Sequence, residues 1–126
     1  MTARLDQLLV ALKTWMEDTG RPVSLSTVAD AELPALVIRL WGPSEPELTS
    51  LDGDPHARRV GVTLTSVGRS AVDALWLHKR SLDLLTAAPP TGLGVEFCSV
   101  TPDSGAALEP DEGRMLALHR TALVYR

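Results

Sequence analysis

A strand that runs straight into a helix occupies residues 59–85, RVGVTLTSVGRSAVDALWLHKRSLDLL, and constrains the fold more than any other stretch. Val60, Val62 and Leu64 alternate with Thr63 and Thr65, the period of a half-buried strand. Ser66-Val67-Gly68-Arg69 reads as the turn that follows, and Ser70 stands where a helix N-cap belongs. Asp73, three residues on, makes a near capping box and sets its carboxylate close to the positive end of the helix dipole. The helix then places Val72, Leu75, Trp76 and Leu82 on one broad stripe, which predicts Trp76 in the core. His78-Lys79-Arg80 falls to the wet side, with a docking patch as the sharper alternative.

The other elements arrange themselves around this unit. Residues 3–18 read as a helix, with Leu5, Leu8, Leu9, Leu12, Trp15 and Met16 at i, i+3, i+4 spacing. Gly20 closes it and Pro22 prevents its return. Leu36 to Trp41 is a strand between Pro34 and Gly42-Pro43, and Pro43 to Ala57 is loop by its proline and glycine content. Pro89-Pro90-Thr91-Gly92 ends the second helix. Leu93 to Val100 and Arg114 to Tyr125 are the third and fourth strands, joined through Pro102-Asp103-Ser104-Gly105 and Glu109-Pro110-Asp111-Glu112-Gly113. The expected fold is α+β, a four-stranded mostly antiparallel sheet with two helices packed on one face, in the order α-β-β-α-β-β. Residues 1–126 form one domain, a length that supports a modest core.

One predicted sheet face is apolar; the other is mixed and carries Arg39, Trp41, Thr63, Thr65 and Glu96. Such a face stands in water or meets a neighbouring subunit. Trp41 suits contact, since tryptophan is enriched at interfaces, and equally suits half-cover by its own loop. The net charge of -4 argues against a protein that grips nucleic acid, which needs clustered Lys and Arg. Cys98 is the single cysteine, so an internal disulfide is excluded and a reducing cytoplasm is the expected compartment. The opening MTARLDQLL lacks the apolar core of a signal peptide, and no stretch approaches membrane-spanning length.

A search for chemistry predicts no catalytic residue, no cofactor and no metal. His56, His78 and His119 fall on a loop, a helix and a strand, without ligand spacing or a cysteine pair. Cys98 lies in a predicted strand with no helix N-terminus or basic neighbour to activate it, and reads as a small packing residue. Thr91-Gly92-Leu93-Gly94 leads into a strand, where a phosphate loop would lead into a helix. Ser104 sits in a turn tripeptide, Asp103-Ser104-Gly105. Glu109, Asp111 and Glu112 match no calcium loop and read as solvated acids.

Thr65-Ser66-Val67-Gly68, Ala74-Leu75-Trp76 and Arg80 one turn further along carry a family resemblance. Together with a leading helix, an apolar strand, a long loop and a closing pair of strands, they make the chain resemble the tail terminator (tail completion) proteins of long-tailed bacteriophages, especially those of actinobacterial hosts. Leu77-His78-Lys79 is bulkier and more basic than that pattern, and the stretch from Pro43 to Ala57 has no counterpart in it. The resemblance implies a homo-oligomeric ring, commonly a hexamer, that caps the tail tube, stops its polymerisation and joins tail to head. Its partners would be the major tail tube protein and a neck or head completion protein, with genomic DNA passing through unbound. Its place would be the head-proximal end of the virion tail, after assembly in the host cytoplasm. Arg39, Trp41, Arg58 and Arg59 are then candidates for a subunit or tube interface. Asp52, Asp54, Glu109, Asp111 and Glu112 are candidates for loops that line an acidic lumen or dock on the tube. A head-tail neck ring protein and a small non-viral α+β binding module are the alternatives.

Overall fold

A computed structural model of the chain describes residues 5–46, 57–102 and 107–126. The leading helix, α1 (Leu5–Met16), buries Leu8, Ala11, Leu12, Trp15 and Met16, the stripe its spacing predicts. A 3-10 turn over Glu17–Thr19 follows, and Gly20 closes it in the left-handed region. The second helix, α2 (Ala71–Thr86), begins as expected: the Ser70 hydroxyl accepts a hydrogen bond from the Asp73 N–H at 3.3 Å.

Among the described residues six strands form one mixed sheet, where four were expected. They are β1 (Val23–Ser24), β2 (Ala35–Pro46), β3 (Arg58–Gly68), β4 (Phe97–Pro102), β5 (Ala107–Asp111) and β6 (Arg114–Tyr125). The order is β1-β2-β3-β6-β4, with β5 also paired to β6. The β1–β2 pair is parallel, and the β2–β3, β3–β6, β4–β6 and β5–β6 pairs are antiparallel. The two added strands are short and borrow their order from longer neighbours. β1 is tied to β2 by the Leu36 N–H, which donates to the Pro22 carbonyl at 2.9 Å. β5 folds back on β6 through a two-residue turn in which Glu112 (φ 48°) and Gly113 (φ 81°) are both left-handed, the geometry that matches strand twist.

Other boundaries move for identifiable reasons. β2 continues past Trp41 into the stretch expected to be loop, with a register shift between Trp41 and Glu45 that absorbs Gly42 and Pro43. The expected turn at Ser66–Arg69 is strand as far as Gly68, because Val67 pairs with Ala35 on one side and Leu116 on the other. The turn proper is Arg69-Ser70 alone. A Cβ at Gly68 would lie 2.7 Å from the Ala74 backbone nitrogen, so only glycine lets the helix start this close to the strand end. β4 begins at Phe97 and not at Leu93, since Gly92 and Gly94 both adopt φ of 81°.

Both helices cover one face of the sheet, as expected. Leu36 and Ile38 of β2, Val60, Val62 and Leu64 of β3, and Leu123 and Tyr125 of β6 meet the α1 stripe in a single core. Trp15 packs on Phe97 with ring centroids 4.9 Å apart. On the opposite face Val28 and Leu33 lie on Ala35, Val37 and Val67 at one end. Three arginines hold that covering segment. Arg21 donates to the Pro34 and Glu32 carbonyls, Arg69 to the Asp30 carbonyl, and Arg114 to the Asp30 carboxylate and the Val28 carbonyl.

Candidate assembly surfaces

The largest correction concerns the facing of α2. Its buried residues are Ala74, Leu77, His78, Ser81 and Leu85, so the Val72-Leu75-Trp76 stripe predicted for the core points outward. Val72 is 76% exposed and Trp76 46%. His78, expected on the wet side, is the residue that goes in. The Arg80 guanidinium lies 5.1 Å from the centre of the Trp76 ring and donates to the Thr19 carbonyl at 3.0 Å. Arg21, Pro34, Val72, Asp73 and Trp76 line one shallow depression. Arg80 and Arg21 are held by backbone carbonyls, so a rigid cationic frame surrounds a half-exposed indole.

A second tryptophan surface stands on the far side of the sheet. Trp41 is 50% exposed and lies flat over Gly61, its neighbour across the β2–β3 ladder. A Cβ at Gly61 would fall 2.2 Å from the indole Cε2, so the strand glycine makes the seat for the ring. Arg120 flanks it at 5.9 Å from the ring centre. Arg39 is exposed on the same sheet face, two residues back along β2. Arg59 is exposed at the start of β3, whereas Arg58 is half-buried. Its Nε donates to the Ser44 hydroxyl at 2.8 Å, and Ser44 in turn bonds the Tyr125 hydroxyl at 2.8 Å. Arg58 therefore ties the far end of β2 to β6 through Ser44, with its side chain half-buried.

The acidic residues expected in two loops are placed differently. Asp52 and Asp54 lie outside the described residues, as do His56 and Ser104. Glu109 and Asp111 belong to β5, and Glu112 is the first residue of its turn; all three are exposed. They form an acidic edge of the sheet in place of a loop. Cys98, expected as a packing residue, is exposed on β4.

One polar cluster escaped the sequence reading. His78 of α2 and His119 of β6 meet in the interior with ring centres 5.5 Å apart, edge to face. Burial pushes the His78 imidazole below its ordinary range, and the nearby His119 pushes it the same way. A lone histidine within a helical stripe carries no sequence sign of a partner 41 positions away, so the pair became visible only in the fold.

Among the described residues, no group of three or more His, Cys, Asp or Glu stands where it could hold a metal ion, and no helix is long and apolar enough to cross a membrane. No family model and no curated protein matches the chain.

Proposed function

We propose that the chain is a structural subunit of a phage tail, a terminator that assembles into a ring on the tail tube, stops its growth and joins it to the head. The observation that carries this reading is the pair of tryptophan surfaces on opposite layers. Trp76 faces outward from the helices and Trp41 outward from the sheet. Each combines an aromatic with a flanking arginine, the residue types enriched where interfaces hold. A subunit with different apolar patches on its two sides is suited to sit between different partners, head-to-tail, as a ring or a stacked layer requires. The resemblance carried by Thr65-Ser66-Val67-Gly68 and Ala74-Leu75-Trp76 names the assembly. In the fold, Gly68 is the close-approach residue of that unit and Trp76 its exposed end. The six-fold count rests on the resemblance alone.

The mixed composition of both surfaces supports a binding role over catalysis. Disabling the gene in the virus that carries it tests the reading. Tails of uncontrolled length would support a terminator. Finished tails of normal length left unjoined to heads would move the chain to the neck ring. Virions unaffected in both respects would leave the non-viral binding module.

A further inference from the structure

The sheet face away from the helices is organised in rungs. Val37, Thr65 and Leu118 stand side by side across β2, β3 and β6, then Arg39, Thr63 and Arg120, then Trp41, Gly61 and Ala122. At the first rung a cavity of about 250 Å³ opens, with Val37, Val67, Leu116 and Leu118 as its floor and Thr27 and Val28 on one wall. It is smaller than the roughly 300–1,000 Å³ of a pocket for a whole ligand, and suits a single apolar side chain. At the third rung the Trp41 indole lies flat on Gly61 and is half exposed. Between the two, Arg39 and Arg120 are exposed, with Cα atoms two strand spacings, about 10 Å, apart. A carboxylate above Thr63 comes within reach of both guanidinium groups and of the threonine hydroxyl.

Other arginines around the sheet are engaged. Arg21, Arg69 and Arg114 hold the segment over Ala35, Arg58 holds Ser44, and Arg126 pairs with Glu96. Arg59, further along the same face, stands opposite Glu45 in the ladder. Among the described residues no carboxylate pairs with Arg39 or Arg120. Asp111 is at the far wall of the cavity beside Arg114, its partner in the β5–β6 ladder, and so keeps a visiting carboxylate at the arginine rung.

Resting on the reading of the Trp41 side as an assembly surface, we propose that this face holds an extended acidic segment of a protein partner, in the pattern apolar-x-acidic-x-apolar. Alternate residues of an extended chain are about 6.8 Å apart, and so are the rungs, which lie two residues apart along β2. A segment laid along the strands therefore puts its first apolar side chain in the cavity, its carboxylate between Arg39 and Arg120, and its second apolar side chain on the indole. A strand within a partner's sheet meets the same requirement, since packed sheets keep their strands within about 30° of each other. Nucleic acid fits less well. A phosphate chain needs cations along its length, and here the cationic rung is followed by an apolar floor.

NMR titration of the purified full chain with the peptide acetyl-Thr-Ser-Leu-Thr-Glu-Thr-Phe-Thr-Ser-amide tests this. The backbone amides of Arg39, Thr63 and Arg120 and the Trp41 indole N–H should shift saturably. Arg39→Gln and Arg120→Gln should each weaken binding about tenfold, as for loss of one charge-assisted hydrogen bond, with the dispersed spectrum reporting the fold. Replacing the peptide's Glu by Gln should do the same and leave Arg39→Gln without further effect. Shifts confined to other residues, or none at millimolar peptide, would overturn the proposal. So would tighter binding of an oligothymidylate of about ten nucleotides at the same resonances, which would make the surface a nucleic-acid platform. Shifts at these resonances that follow the chain's own concentration would assign the face to a second copy and overturn it too. The terminator reading fails separately. Peptide binding beside normal virions after gene loss would keep this site and remove the terminator, and tails of uncontrolled length beside a chain that ignores the peptide would do the reverse.

Discussion

Gly61→Ala should destabilise the chain by about 1–2 kcal/mol, and that penalty should vanish when Trp41 is absent. The added methyl would sit 2.2 Å from the indole Cε2 and 2.5 Å from Cδ2, so the ring has to leave the sheet. An indole side chain presents roughly 250 Å², and half-exposure leaves about 125 Å² of it covered. At about 25 cal/mol per Å² that contact contributes at most about 3 kcal/mol, an upper limit because the unfolded chain already hides some surface. Swinging outward forfeits only part of it, and alanine returns roughly 0.5–1 kcal/mol through its lower backbone entropy in a strand.

A double-mutant cycle isolates the term. Urea unfolding of the parent, Gly61→Ala, Trp41→Ala and the combined variant gives the coupling energy directly, and tryptophan emission reports whether the Trp41 ring has moved into water. The expected coupling is about 1 kcal/mol or more, with Gly61→Ala neutral or mildly stabilising in the Trp41→Ala background. Equal costs in both backgrounds would refute the reasoning. They would mean that Gly61 is required by its backbone and not by the ring seated on it.

Leu77→Ala should cost about 2–5 kcal/mol, as for a fully buried leucine, while Trp76→Ala should cost the single chain no more than about 1.5 kcal/mol and act instead on assembly; denaturant midpoints beside sedimentation separate the two effects. Ser70→Ala removes the hydroxyl that caps α2 and should cost about 1 kcal/mol, with Ser70→Asp close to neutral in the same unfolding assay. His78 titrates lower in the folded chain than in the unfolded one, so the unfolded state takes up its proton first as pH falls. Stability from this group is therefore complete above pH 6.5 and declines below it, and urea midpoints measured from pH 8 to pH 5 should fall less in His78→Gln than in the parent.

What could be read without the fold was the part governed by local rules. The α1 stripe, the Val60-Val62-Leu64 alternation, the Ser70 cap and the bounds of β6 each depend on residues a few positions apart. β1 and β5 were missed because neither has a reason to be a strand by itself. Two residues follow Pro22 in one, and Glu109, Pro110 and Asp111 dominate the other; each is ordered by pairing with a longer neighbour. Alternation puts Arg39 and Trp41 on one face and interface enrichment singles out the tryptophan, but Gly61 beneath the ring is only a gap in a strand pattern until β2 and β3 come into register.

The facing of α2 could not be settled by periodicity, because the helix carries two stripes. Hydropathy favours Val72, Leu75 and Trp76 over a stripe holding Ala74, His78 and Ser81. Packing reverses that choice. Gly68 brings the helix start within a few ångströms of the strand end, and small residues at Ala74 and Ser81 keep that close approach possible further along. Of the polar members of the inner stripe, Ser81 is satisfied, whereas the His78 Nδ1 is buried without a hydrogen-bond partner among the described residues. The Ser81 hydroxyl donates to the His78 carbonyl at 2.8 Å, and His78 lies against His119 in a setting that favours its neutral form. A bulky indole on this side would force the helix away from β3 and β6 and open the gap that those small residues close. The larger stripe is excluded by shape, so its apolar surface stays exposed on the single chain. A helix with two stripes can turn only one of them to its sheet, and in α2 close packing and not hydropathy decides which.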